Sequence, residues 1–122
     1  ILLLTGCVPN LNEVRIQNET DANIEEAESV LENDQRLTGA VAIFTDKEII
    51  AVVNVKTFSR FNKRKIEKEL TKKMEKHYKD YEVTVSADNK IIYETMKLMD
   101  ADVKEKLSEK VKELKLLSEE ET

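Results

Sequence analysis

Two β-branched runs separated by a short polar break constrain this chain more than any other feature. Ala40-Val41-Ala42-Ile43-Phe44 leads into Thr45-Asp46-Lys47-Glu48, and Ile49-Ile50-Ala51-Val52-Val53-Asn54-Val55 follows. Branched and aromatic side chains fit a pleated surface, and two such runs around a polar turn read as a β-hairpin. The turn lacks an Asn-Gly pair, so its type stays open. The second run is nearly continuous in apolar residues. A half-solvated strand would alternate, so this one is expected at the centre of a well-covered sheet.

Helical periods flank the hairpin. Thr20 or Asp21 can cap a first helix whose apolar positions are Ile24, Ala27, Val30 and Leu31, ending near residues 33–35. Leu37-Thr38-Gly39 breaks that pattern. After the hairpin, Thr57 or Ser59 can cap a second helix with the stripe Phe61, Ile66, Leu70, Met74 and Tyr78. Tyr81 to Ser86 alternates apolar and polar, which predicts a third strand with one solvated face. Asp88 is a natural cap for a last helical region. There Ile92, Met96, Met99, Val103, Leu107, Val111 and Leu114 recur at spacings of three and four. That region is one helix, or two broken near Asp100-Ala101-Asp102. The expectation is an α+β domain of order α-β-β-α-β(-α), with a three-stranded sheet covered by helices on one face.

The chain carries 37% charged residues, 5% aromatic residues and no tryptophan. That composition suits a small, highly solvated domain better than a deep-pocket enzyme. The net charge of −5 conceals an asymmetry. Residues 8–34 hold eight acids against one base, and residues 56–79 hold ten bases against three acids. The second predicted helix is therefore strongly basic, and Lys63, Arg64, Lys68, Lys72 and Lys76 are candidates for contact with an anionic surface. Three readings of this face stand side by side. It is solvated or complements the acidic first helix, in the same molecule or a neighbour. It meets anionic lipid head groups. The last is nucleic-acid binding, but stacking aromatics are missing and a lipidated exported chain would not meet nucleic acid, so no nucleic-acid partner is expected.

Catalysis needs convergent groups with matched protonation tasks, and the sequence has no nucleophile elbow and no phosphate-cradling loop. Its one histidine, His77, has no ligand-spaced partner and reads as structural. Asp100 and Asp102 read as a helix cap, and Asp46 and Glu48 as parts of an exposed turn. No catalytic residue, cofactor or metal is expected, and the chain reads as a non-enzyme.

The N-terminus carries the one reactive residue. Ile1-Leu2-Leu3-Leu4-Thr5-Gly6-Cys7 is apolar to Leu4 and closes as Leu-Thr-Gly-Cys, the form of a bacterial lipobox. A buried strand ending in a free cysteine is the alternative. Against it, Cys7 is the only cysteine, and the residues after it are polar and unpatterned. The expected organisation is a signal-peptide remnant at 1–6, a flexible linker at 7–20, an α+β domain at 21–100, and a C-terminal helix with an acidic tail at 101–122. Cys7 would carry a diacylglyceryl anchor and hold the domain on the extracytoplasmic side of a membrane.

The lipobox, the hairpin from Val41 to Val55, the basic helix and the strand end Val83-Thr84-Val85-Ser86-Ala87-Asp88 together resemble the YhcN/YlaJ family of sporulation lipoproteins. In that family a strand end of this type precedes a helix with an aromatic residue, matched here by Tyr93. The resemblance covers about residues 1–100 and rests on short, mostly structural motifs. The second strand is less rich in alanine and tyrosine than is usual in the family, and the resemblance does not place the C-terminal helix and acidic tail. The resemblance implies a spore-associated lipoprotein of a Gram-positive spore former, anchored to the cell membrane or spore inner membrane, with a contribution to germination or outgrowth. It brings no catalytic residues, and only lipidation transfers, onto Cys7. The element order is also similar to the α-β-β-α-β ring-building modules of secretion and sporulation channels, which implies a structural, array-forming alternative.

Overall fold

The structure is a computed structural model that describes residues 11–100 and 107–120. The predicted hairpin forms its centre. Strand β2 (Leu37–Thr45) pairs antiparallel with β3 (Glu48–Val55), and the connection turns at Asp46 and Lys47, where Lys47 has φ 59°. Both strands are buried on both faces. The strand count differs from expectation, because β1 (Val14–Asn18) pairs parallel with β2 and β4 (Glu82–Ser86) pairs parallel with β3. The sheet therefore has four strands, in the order β1-β2-β3-β4.

β1 lies inside the stretch expected as a linker. Only Val14 and Ile16 carry its apolar alternation, so pairing with β2 is what makes it a strand. Its approach is unusually close. A Cβ on Gly39 would lie 2.6 Å from the backbone carbonyl of Leu11 and 2.9 Å from the nitrogen of Glu13. Gly39 thus sits within the paired region and admits the incoming chain. Leu11 is already buried.

Helices cover both faces of the sheet, not one. On the first face lie α1 (Glu25–Glu32) and α2 (Lys63–His77), the latter entered through a 3-10 helix at Thr57–Asn62. Ala27 and Leu31 of α1 and Ile66, Leu70 and Met74 of α2 pack on Ala40, Ala42, Phe44, Ile49, Ala51 and Val53. On the other face, α3 (Asn89–Asp100) and α4 (Leu107–Glu120) place Ile91, Ile92, Leu107, Val111 and Leu114 on Val41, Ile43, Ile50 and Val52. The continuous apolar character of β2 and β3 has its reason here, since alternate residues enter two separate cores. The C-terminal apolar series falls on two helices. Val103 and the rest of the expected break after Asp100 lie outside the described residues.

The topology is two β-α-β units, β1-α1-β2 and β3-α2-β4, joined by the hairpin. The units run in opposite directions through one sheet, yet α1 and α2 share a face. The two crossovers therefore have opposite hands, and one departs from the strong right-handed preference of such units.

Several helix starts differ from the expected caps. Thr20 builds a turn instead, its N–H and hydroxyl both donating to Asn18 Oδ1. Asn23 Oδ1 accepts from Glu25 N at the head of α1. No side chain caps α2. Asp88 caps α3 as expected, its Oδ1 accepting from Lys90 N and Ile91 N.

Candidate functional site

The basic residues singled out in the sequence all lie on α2 or at its start. Leu70 marks the buried line of that helix, and Arg64, Lys68, Lys72 and Lys76 are exposed, with Lys63 half-buried. At 1.5 Å per residue, Lys63 and Lys76 stand about 20 Å apart along the axis. Lys63, Lys68, Lys72 and Lys76 make no ion pair among the described residues. Two of the three acids in this basic segment are engaged elsewhere. Glu67 Oε2 accepts from Ala87 N at 2.6 Å, and Glu69 Oε1 accepts from Arg36 at 2.6 Å. The candidate surface thus stays positive after the internal bonds are made.

The start of the helix is the part that sequence reasoning misread. Phe61, assigned to the apolar stripe, is 98% exposed. It sits five residues before Ile66, whereas the buried line Ile66, Leu70, Met74 advances by four. That offset was the available signal. Residues 56–65 contain Lys56, Arg60, Lys63, Arg64 and Lys65 and no acid. The first turn of α2 therefore presents like charges at the positive end of the helix dipole, an arrangement that weakens a helix. Folding alone gives no reason for it.

The other end of α2 is tied down. The Tyr78 hydroxyl donates to Asn23 O at 2.7 Å and accepts from Ala27 N at 3.1 Å, closing the first turn of α1. Burial pushes this phenol above its ordinary range. Phe44, Tyr78 and Tyr81 form a cluster with ring centroids 5.1 to 6.1 Å apart, Tyr78 meeting both other rings edge-on. His77 has a partner distant in sequence, its Nδ1 lying 2.7 Å from Glu26 Oε2 across a surface cleft between α1 and α2. Both side chains are substantially exposed, and the contact is an ion pair only when the imidazole is protonated.

Glu48 also departs from expectation. It is buried, not part of an exposed turn, and its Oε1 lies 2.6 Å from Lys115 Nζ. That oxygen lacks a well-directed hydrogen bond, so the attraction is mainly ionic. Lys115 also donates to the Glu82 carbonyl. The pair fastens α4 to the hairpin end of the sheet. A second network holds Arg36, which bonds Asp34 through Nε and Nη2 at 2.9 and 2.7 Å and Glu69 through Nη1. The guanidinium lowers both carboxylates below their ordinary range, and they raise its own value in turn.

Among the described residues, no group of three or more His, Cys, Asp or Glu side chains could hold a metal ion, and no helix is long and apolar enough to cross a membrane. Cys7 lies outside the described residues. Comparison with protein-family models, curated proteins and solved structures gives no match.

Proposed function

We propose that this chain is a lipid-anchored, extracytoplasmic interaction domain that works through its surface and not by catalysis. The observation that carries the reading is the spacing between the lipobox cysteine and the fold. Cys7 stands four residues before Leu11, which is already buried, and seven before the first residue of β1. A cysteine so placed suits a covalent anchor that keeps the domain against its membrane. Lipid on that cysteine would comprise two or three acyl chains, enough for stable attachment where one chain is marginal. The resemblance to the YhcN/YlaJ family supports a spore-envelope setting, with a part in germination or outgrowth.

Intact-mass measurement of the native protein from membrane fractions of sporulating cells tests the anchor. A mass corresponding to cleavage before Cys7 plus a diacylglyceryl group is expected. An unmodified thiol in the membrane-derived protein sinks the reading. Replacing Cys7 by Ser should move the protein from the membrane fraction to the soluble fraction.

One observation favours a second reading, self-assembly into rings or arrays. Acidic α1, with Glu25, Glu26 and Glu32 exposed, lies beside basic α2 on one face of the sheet. A layer divided into negative and positive halves can stack against a staggered copy of itself. Such contacts weaken with salt. A lipid-free Cys7→Ser protein that sediments as a monomer at both 50 mM and 500 mM salt (about 14 and 4 Å of Debye length) would rule it out.

A further inference from the structure

We infer that the domain docks onto an anionic bilayer end-on, through the segment 56–65, with Phe61 as the inserting residue. This rests on the anchoring reading for its geometry and names the partner of the basic surface. Three independent observations meet at one end of the sheet.

The first is an exposed aromatic ring in a basic setting. Phe61 is 98% exposed, and five cations with no acid surround it in sequence. An apolar ring amid lysine and arginine suits the boundary between charged head groups and acyl chains. A polyanion such as RNA would use the cations, and among the described side chains of this segment it would meet one exposed ring.

The second is topological. β1 begins, β2 begins and β3 ends at this same end of the sheet. Thr38 Oγ1 links them, donating toward Leu11 O at 3.1 Å and Asn54 O at 3.2 Å. Lys56 follows Asn54 by two residues, and its N–H donates to Arg36 O at 2.8 Å. Leu11, the first described residue, thus lies at the end of the sheet where the 3-10 helix begins. Four residues reach at most about 14 Å. An anchored Cys7 therefore holds this end of the domain close to the head groups, while Lys76 stands about 20 Å farther along α2.

The third is the distribution of charge. Lys56, Lys63 and Lys65 have no ion pair among the described residues. Arg36 at the same end is paired with both Asp34 and Glu69, so that trio is net negative and the attraction to lipid falls to the lysines and arginines of 56–65. The distal cations Lys72 and Lys76 belong to the same helix but not to the docking end, so the two halves of one basic surface have different tasks.

The test uses the full chain with Cys7→Ser, which removes the lipid, and vesicles of phosphatidylcholine with or without 30% phosphatidylglycerol. Binding to the anionic vesicles and not to the neutral ones is expected. The chain has no tryptophan, so Phe61→Trp supplies a single reporter. Its emission should shift to the blue on anionic vesicles and be quenched by bromine-labelled acyl chains. Phe61→Ser should weaken binding about tenfold. Replacing Arg60 and Lys63 by Gln should weaken it about 25-fold, at about fivefold per cation. Replacing Lys72 and Lys76 by Gln should change it less than twofold. Circular dichroism of each variant confirms the fold.

Unquenched indole emission from the Phe61→Trp variant, an unchanged affinity for Phe61→Ser, or a distal pair as costly as the proximal pair overturns the inference. So does tighter binding to single-stranded RNA than to vesicles. This experiment and the mass measurement fail independently. An unlipidated Cys7 removes the anchor and leaves vesicle binding standing. A lipidated Cys7 with no Phe61 insertion keeps the anchor and removes the docking mode.

Discussion

The two ends of α2 are built on opposite terms. At its C-terminal end Tyr78 is buried, its hydroxyl both donates and accepts, and nearby Glu48 and Lys115 neutralise each other. At its N-terminal end Phe61 is bare, no side chain caps the helix, and Lys63 and Lys65 have no acidic partner among the described residues. One end holds the fold together. The other contributes little to it and leaves Phe61 and Lys65 exposed. Marginal stability makes such a division readable, because groups that do not serve the fold stand out against those that do.

The contrast can be broken most forcefully at the satisfied end. Phe44→Ala empties the space where Tyr78 and Tyr81 meet the sheet, and a loss of about 4 kcal/mol in urea unfolding is expected. Lys115→Met leaves Glu48 buried without its partner and should cost about 3 kcal/mol. The double variant Glu48→Gln/Lys115→Met should recover a good part of that loss. Additive losses would mean that the two residues do not act as a pair. Tyr78→Phe removes one hydroxyl with two partners and should cost about 1 to 2 kcal/mol.

A smaller effect sharpens the picture with pH. Arg36 lowers the folded-state pKa of Asp34 below its ordinary 3.8. A depressed carboxylate contributes stability above its unfolded-state value and loses it as pH falls through the folded-state value. Stability of the native protein should therefore decline below about pH 4. In Arg36→Gln that part of the acid slope should flatten, measured as urea midpoints between pH 5 and pH 2. The smallest effect belongs to the open end. Phe61→Ser should change the unfolding free energy by no more than about 0.5 kcal/mol. A large destabilisation there would show that the two ends are not divided as described.

How much of this was legible depends on whether a residue's neighbours lie close in sequence. The hairpin was, because two β-branched runs and a polar turn are local signals; its turn type and the irregular pairing between Leu37 and Gly39 were not. The Asp88 cap was, because its partners Lys90 and Ile91 lie within three residues. β1 was not, because Val14 and Ile16 form a strand only against β2, more than twenty residues away. Glu48 read as a turn residue, and only the arrival of α4 buries it against Lys115. Phe61 read as core by its chemistry, although its five-residue offset from Ile66 argued otherwise.

The amino-acid sequence by itself determined the central hairpin, the apolar lines of the helices, the separation of acidic and basic segments and the lone cysteine near the N-terminus. These are written in period and composition, which neighbouring residues carry. The tertiary structure alone decided that helices lie on both faces, that Gly39 admits the backbone of Leu11 to Glu13, and that Leu11 and the start of the 3-10 helix lie at one end of the sheet. Those outcomes depend on contacts between residues far apart in the chain, and no local pattern encodes which distant groups will share a place in space.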